Sequence, residues 1–319
     1  MIYILLAIVV IIAVPIIIIS QPVLFVSKET TNVQVDTNKI KEHIHKLIST
    51  DNPRNYRNIK SLNQAADYIS NEFKKLNLTV EEQKYEVEGN EYKNLICSFG
   101  PKEGERIIVG AHYDVCGEQA GADDNASGVV GLIEVARLLT QLKPVLKYRI
   151  DLVAYTLEEP PFFRTEFMGS YIHAKSLKDN AVKVKAMICL EMIGYFSDKK
   201  KSQEYPVGLL KLFYPDKGNF IAVVSKMGQG GITRTFKKNM RKGSDIDVRS
   251  INAPAFVQGI DFSDHLNYWN FGYNALMINN TAFYRNKNYH ESSDVPESLD
   301  YKRMAEVIKG AYWALVHIE

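Results

Sequence analysis

The chain has 319 residues, of which 46% are hydrophobic, and this is enough for one large domain with a substantial core. Its 39 basic and 37 acidic residues leave a net charge of +2, so we do not expect a nucleic-acid-binding protein. Three cysteines without framework spacing exclude a disulfide-stapled scaffold.

Residues 1–20 are almost entirely Ile, Leu, Val and Ala. At about 1.5 Å per residue, a helix of this length can just cross a ~30 Å hydrocarbon layer. No Lys or Arg precedes the segment and no Ala-x-Ala cleavage site follows it, which favours an uncleaved transmembrane anchor over a removed signal peptide. We predict a linker at residues 21–36 and a folded domain at 37–319. The domain is expected outside the cytoplasm, periplasmic or extracellular, and secreted if the segment is cleaved.

The folded domain opens with two helical patterns and a hairpin. Apolar residues at helical spacing predict amphipathic helices at 40–48 and 62–76, the second capped by Ser61. Two strands at 79–87 and 92–98 follow and are predicted to pair in an antiparallel hairpin.

Four further apolar runs predict buried strands, at 107–109, 150–156, 187–190 and 275–278. Helical patterns separate several of them, and a closing helix is predicted at 304–317. This alternation predicts a three-layer α/β/α sandwich around a mostly parallel mixed sheet.

A histidine or a carboxylate follows each of these four strands. The residues are His112, Asp123 and Asp124, Glu158 and Glu159, Glu191, and His290. Because the carboxyl ends of parallel strands meet at one edge of an open α/β sheet, we expect these groups to line a ligand crevice. Imidazole and carboxylate groups are typical ligands of zinc. Taken singly, His112 could be a hydrogen-bonded core histidine, and the paired glutamates could be a solvated acidic pair.

From about residue 61 to the C-terminus, these motifs resemble those of the two-zinc aminopeptidases. That family also includes glutamate carboxypeptidase II, the transferrin receptor and, more distantly, glutaminyl cyclase. The resemblance implies two divalent ions, zinc by preference, bridged by Asp124, and a cis peptide bond between Asp124 and Asn125. It assigns the remaining ligands as His112 and Glu191 at one metal, and Glu159 and His290 at the other. The family usually has Asp where this chain has Glu191, so the extra methylene must be absorbed locally.

The family chemistry also assigns roles around the metals. Two divalent ions can hold a water between them, lower its pKa and polarise a scissile carbonyl. Neighbouring residues in an extended chain point to opposite sides, so Glu158 is free to act as the general base while Glu159 binds metal. Asp114 is expected to accept a hydrogen bond from the second ring nitrogen of His112.

Weaker candidates have two interpretations each. Tyr289 is either a hydrogen-bond donor to the developing oxyanion or an aromatic residue at the rim. Asp264 either supports the active-site network or caps a helix. Asp123 is expected only to cap the helix that follows it, and Cys116 is interpreted as a free buried thiol rather than a ligand.

Two surface features complete the sequence-based expectations. The segment 160–168 is longer than the family's usual connection. In one interpretation, Phe162 and Phe163 line the substrate pocket and Arg164 binds a substrate carboxylate. In the other, the segment is a surface loop anchored by its aromatic side chains. A basic patch, Lys237-Lys238 with Arg241-Lys242, is most simply the solvated face of a helix.

The predicted function is a metal-dependent aminopeptidase that hydrolyses the N-terminal bond of peptide substrates. The alternatives are a glutaminyl cyclase-like acyltransferase that uses a single zinc and a receptor-like homologue without catalysis. A receptor would lack metal ligands, and here the set is complete. The sequence from Asp124 to Gly128 has the peptidase form rather than the cyclase form.

Overall fold

A computed structural model describes residues 13–319 of the chain. Residues 13–20 are helical, and most of the predicted membrane anchor lies outside the described residues. Within 13–319, every helix falls short of the length and apolar character needed to span a bilayer.

One mixed sheet of eight strands forms the centre of the domain. The strands are β1 (Glu81–Val87), β2 (Asn90–Phe99), β3 (Arg106–His112), β4 (Arg149–Tyr155), β5 (Val184–Glu191), β6 (Phe220–Lys226), β7 (Asp247–Ala253) and β8 (Ala275–Asn279). Their order is β1-β2-β4-β3-β5-β8-β6-β7. The central strands β4, β3, β5 and β8 are parallel to one another, while β1 and β2 form the predicted antiparallel hairpin at one edge. The predicted mixed, mostly parallel sheet is confirmed.

Helices cover both faces of this sheet. They are α1 (Thr37–Ile48), α2 (Ile59–Lys75), α3 (Gly128–Leu142), α4 (Gly169–Asp179), α5 (Gly230–Gly243), α6 (His265–Asn270) and α7 (Tyr301–Val316). Successive side chains of a strand point to opposite faces. Accordingly, Val223 of β6 packs in one hydrophobic cluster with α1, α2, α3, α5 and α7, and its neighbour Val224 packs in a second cluster with α4 and α6. The domain is the predicted α/β/α sandwich.

The predicted cap of α2 is wrong. The helix begins at Ile59, because the backbone N–H of Leu62 already donates to the carbonyl of Asn58. Ser61 lies inside the first turn, and its hydroxyl accepts a hydrogen bond from the backbone N–H of Asn52. Ser61 therefore ties the preceding turn to the helix instead of capping it.

The unit β6-α5-β7 extends the sheet beyond β8, and the basic patch lies on its helix. Lys237 is buried, contrary to the expectation of a solvated face. Its ammonium donates to the carbonyl of Ser20, at 2.7 Å, and to the hydroxyl of Ser250, at 2.9 Å. The segment 21–36 has no helix or strand, as a linker would, but it runs along α5 and hydrogen-bonds to it, for example from the Glu29 N–H to the Lys242 carbonyl.

Burial of Lys237 predicts a stability that depends on pH. Burial lowers the pKa of Lys237 from 10.5 to about 8, so the fold disfavours its charged form. The unfolded chain then binds more protons between these two values, and the free energy of unfolding should rise as the pH rises from 8 to 10. Lys237→Met lacks the titrating group and should lack this increment. Urea unfolding of both proteins at pH 7.5 and pH 10 measures the difference, and parallel pH curves would contradict the prediction.

Candidate metal centre and adjoining cavity

The histidines and carboxylates lie together at the carboxyl edge of the four central strands. His112 ends β3, Glu191 ends β5, Glu158 and Glu159 follow β4, and His290 lies in the loop after β8. Because β4, β3, β5 and β8 are adjacent and parallel, these positions share one edge of the sheet. The predicted convergence is confirmed.

Asp124 lies between the two imidazoles. Its Oδ1 is 3.4 Å from Nε2 of His112, and its Oδ2 is 3.2 Å from Nε2 of His290. Glu191 lies 3.3 Å from the His112 nitrogen, and Glu159 lies 3.2 Å from the His290 nitrogen. The five side chains therefore form two groups of three that share one carboxylate.

The donor set fits a divalent cation. Oδ2 of Asp124 and Oε1 of Glu159 are buried and, among the described residues, have no hydrogen-bond partner. A buried carboxylate oxygen without a partner is costly, and a bound cation removes that cost. Donor atoms of His112, Asp124 and Glu159 all lie within 4.8 Å of one another, the spacing of ligands around one ion. The residues of this edge can therefore hold metal.

Electrostatics support the same interpretation. Burial raises the pKa of Glu159 to about 7 and that of Glu158 well above its ordinary value. Burial acts the same way on Asp124, but the adjacent imidazoles of His112 and His290 outweigh it, and the net effect lowers the pKa of Asp124. A divalent cation among these side chains would favour their ionised forms.

Asn125 fixes Asp124 beside Glu191. The peptide bond between Asp124 and Asn125 is cis, as predicted. The Asn125 side-chain amide donates to the carbonyl of Leu190 at 2.9 Å, and its oxygen accepts from the N–H of Met192 at 3.0 Å. One amide thus joins the Asp124 loop to the end of β5.

Asp123 does not act as a simple helix cap, so that expectation is wrong. Its carboxylate accepts hydrogen bonds from the backbone N–H groups of Gly194 (2.9 Å) and Tyr195 (3.2 Å) and from the amides of Asn280 (2.7 Å) and Asn286 (2.8 Å). It is fully buried and joins the Asp124 loop to the loops after β5 and β8. The carboxylate of Asp294, which sequence reasoning missed, accepts hydrogen bonds from the backbone N–H groups of Asp123 and Asp124.

Asp114 positions three of the predicted functional residues. Nδ1 of His112 hydrogen-bonds to the backbone carbonyl of Asp114 at 3.2 Å, and the Asp114 carboxylate, which is the predicted acceptor, lies 3.5 Å from the same nitrogen. The carboxylate also accepts the backbone N–H groups of Glu158, at 3.2 Å, and Glu159, at 3.1 Å. Asp114 therefore orients both glutamates as well as the imidazole.

Glu191 is accommodated by a serine that the sequence did not single out. Ser263 donates its hydroxyl hydrogen to Oε2 of Glu191 at 2.6 Å, and the Asn125 amide approaches the same oxygen at 3.3 Å. These two donors hold the longer side chain so that its carboxylate reaches His112.

Asp264 and Tyr289 both lie next to the metal ligands. Asp264 occupies the N-cap position of α6 but makes no capping hydrogen bond, and among the described residues both its carboxylate oxygens lack partners. Burial raises its pKa to about 7. Tyr289 stacks on His290 with ring centroids 3.8 Å apart. It also lines the cavity beside the metal ligands.

This cavity opens to solvent, and its empty space measures about 690 Å³ when the open mouth is included. Apolar side chains line it from β6, β7, β8 and the loop before α6, among them Val224, Ile251, Ile260, Phe262 and Met277. The loops after β5 and β8 add further apolar and aromatic side chains, including Tyr205, Phe283 and Tyr284. Asp124, Glu158, Glu159 and Glu191 form its floor. The cavity is shaped to hold an apolar group beside the candidate metal centre.

The segment 160–168 supplies none of the described residues that line this cavity. Phe162 is buried against Tyr56 and Phe167, and the guanidinium of Arg164 pairs with Asp261 at 2.6 Å. Of the two interpretations of this segment, the structure supports the loop anchored by its aromatics.

Comparison with known proteins agrees with this architecture. The family model of peptidase family M28 matches residues 94–313. The uncharacterized protein YfbL of Escherichia coli (strain K12) is 45% identical over 280 residues, which are 85% of each chain. Leucine aminopeptidase 1 of Pyrenophora tritici-repentis is 26% identical over 225 residues, and the match spans 67% of this chain but only 52% of the fungal protein.

Solved structures share the fold. LapB from Legionella pneumophila superposes with a TM-score of 0.69 at 23% identity, covering 89% of this chain and 72% of that one. A glutaminyl cyclase from Bacteroides thetaiotaomicron superposes with a TM-score of 0.65 at 19% identity, covering 90% and 99%. Fold and site together define a metallo-exopeptidase, a hydrolase. The chain belongs to peptidase family M28, and the resemblance to the two-zinc aminopeptidases is confirmed.

Proposed function

We propose that the protein is an aminopeptidase that uses two divalent ions, zinc by preference, to hydrolyse the N-terminal bond of peptides. The observation that carries the proposal is the position of Asp124, whose two oxygens face two different imidazoles at 3.4 and 3.2 Å. Each imidazole has its own glutamate partner, so the chain offers complete ligand sets for two ions. The fungal relatives named leucine aminopeptidase support the same activity.

Two bound ions would polarise the scissile carbonyl and lower the pKa of a water held between them. Glu158 is the group placed to take the proton of that water: it lines the cavity, and its Oε2 lies 3.9 Å from Nε2 of His112. Its pKa, raised by burial, suits a group that accepts a proton and returns it to the leaving amine. Asp114 holds the backbone of Glu158, which fixes the position of the base. Tyr289 is the residue we assign to stabilising the oxyanion.

The adjoining cavity indicates an apolar N-terminal residue. Apolar and aromatic side chains line most of its wall, and the carboxylates of the candidate metal centre form its floor. A substrate whose first side chain fills the apolar wall would place its scissile carbonyl over the metal ligands.

Metal analysis and a substrate panel test this proposal. The purified protein should contain two zinc ions per chain and should release leucine and methionine from peptides faster than glycine or aspartate. One zinc per chain with cyclisation of N-terminal glutamine would instead identify a glutaminyl cyclase-like acyltransferase. Two metals without peptide hydrolysis would contradict the aminopeptidase.

Narrowing the cavity should change selectivity. Val224 lines the wall, so Val224→Phe would occupy the space of a large first side chain. We expect kcat/KM for a leucyl peptide to fall by about 10-fold or more, and that for an alanyl peptide to fall much less. Steady-state kinetics on both peptides measure this, with metal content as the control for an intact site. An equal loss on both substrates would show that the cavity does not bind the first side chain.

We also propose that residues 1–20 anchor the protein in a membrane, with the catalytic domain outside the cytoplasm. The apolar composition of the segment supports this proposal. The full chain should remain with membranes after alkaline washing and be open to protease in spheroplasts, and a variant lacking residues 2–19 should be released. Protection of the intact chain from protease would reverse the orientation.

A further inference from the structure

We infer that Cys116 is a fourth ligand, beside Asp124, Glu159 and His290, of one of the two metals. The Cys116 sulfur and donor atoms of Glu159 and His290 all lie within 4.8 Å of one another. This inference rests on the proposed two-metal site and adds a sulfur ligand to it.

The chain holds the loop that carries this cysteine firmly. Arg54 is buried, and its guanidinium donates to the carbonyls of Tyr113, at 2.8 Å, and Gly121, at 2.6 Å. The amide of the adjacent Asn55 donates to the carbonyl of Gly117 at 2.6 Å. The backbone on both sides of Cys116 is therefore fixed by hydrogen bonds, so the approach of its sulfur to the metal ligands is built into the fold.

A second observation shows that a ligand is expected on this side of the centre. Oε1 of Glu159 is buried and, in the part of the chain that the structure describes, has no hydrogen-bond partner, although Oε2 faces His290. Sulfur, imidazole and carboxylate donors within 4.8 Å of one another form a set typical of zinc ligands. Cys97 and Cys189 are buried elsewhere, and neither belongs to a comparable group of donors within residues 13–319.

The sulfur makes the two metal positions unequal. A soft thiolate selects zinc over harder ions such as Mn²⁺ or Mg²⁺. The position of Cys116, His290 and Glu159 would hold its zinc more tightly, and the position of His112 and Glu191, with nitrogen and oxygen donors alone, would accept a wider range of metals. As the sulfur–metal bond forms, the thiol gives its proton to solvent.

Spectroscopy of metal-substituted protein tests the assignment without relying on activity. Apo-protein loaded with two equivalents of Co²⁺ should show a thiolate-to-cobalt charge-transfer band in the near ultraviolet. Cys116→Ser should lose the band, and the matched control Cys97→Ser should keep it. Zinc X-ray absorption on the unaltered protein should find one sulfur at about 2.3 Å per two zinc ions, a measurement that needs no variant. We expect Cys116→Ser to weaken one of the two zinc sites by about 10-fold or more.

Two bound ions without a sulfur neighbour would overturn the assignment and leave the proposed aminopeptidase standing. A band that persists in Cys116→Ser but disappears in Cys97→Ser would also overturn it. Binding of fewer than two ions would remove the two-metal centre, and with it both this inference and the proposed mechanism.

Discussion

Glu158→Gln should lower turnover by about 10²–10⁴-fold while both metals stay bound. The amide keeps the shape of the side chain but cannot accept a proton at neutral pH. Glu158 lines the cavity, and its backbone N–H is held by Asp114, so the substituted side chain should stay in place. Steady-state kinetics combined with elemental analysis measure both quantities.

Glu159→Gln is the matched comparison, because Glu159 is adjacent in sequence to Glu158 but its carboxylate lies beside His290. Its Oε2 lies 3.2 Å from Nε2 of His290 and its Oε1 is buried, so the substitution should weaken one metal site. Added metal should partly restore activity in this variant, but it should not rescue Glu158→Gln. Loss of metal from Glu158→Gln alone would reverse the two roles. Unchanged turnover in both variants would refute the mechanism.

Asp123→Ala should lower the free energy of unfolding by about 3–5 kcal/mol, because it leaves two backbone N–H groups and two amides without their buried acceptor. Urea unfolding measures this loss. Asp300→Ala is the control, since Asp300 caps α7 by accepting from the N–H of Arg303 at 3.0 Å. Loss of such a cap costs about 0.5–2 kcal/mol.

Equal losses in these two variants would mean that Asp123 is no more than a cap. If Asp123 joins the loops of the metal ligands, Asp123→Ala should also bind zinc more weakly. Among the described residues the Asp300 carboxylate hydrogen-bonds only to Arg303, so Asp300→Ala should bind zinc like the unaltered chain. Calorimetric zinc titration of the two folded variants distinguishes these outcomes.

The sequence was sufficient to predict which edge of the sheet brings the candidate metal ligands together. Each ligand follows a strongly apolar strand, and parallel strands bring their carboxyl ends to one edge whatever the details of the loops. This rule alone predicts the positions of His112 and Glu191 at the sheet edge, because each is the last residue of its strand.

Contacts between distant segments were beyond sequence reasoning. Asp123 binds groups about 70 and 160 residues away, and Ser263 meets Glu191 across 72 residues, so no local pattern signals either. The edge strand β7 was not predicted either. Arg249 and Asn252 interrupt the alternation of apolar and polar residues that would indicate a strand. Cys116 is a free thiol, as the sequence indicates, but its closeness to Glu159 and His290 has no local signal because these residues come from other loops.

Some strands of the sheet carry candidate reactive groups and others only line the cavity, and this separation has an evolutionary consequence. The candidate reactive groups come from the loops after β3, β4, β5 and β8, whereas β6, β7 and the segment before α6 add apolar side chains to the cavity wall and none of these reactive groups. Mutations in β6, β7 and the segment before α6 can therefore change which peptides are hydrolysed without altering the candidate metal ligands. Related enzymes that share this sheet can therefore differ in substrate preference through substitutions in β6 and β7 alone. A protein engineer can change the preference by the same substitutions.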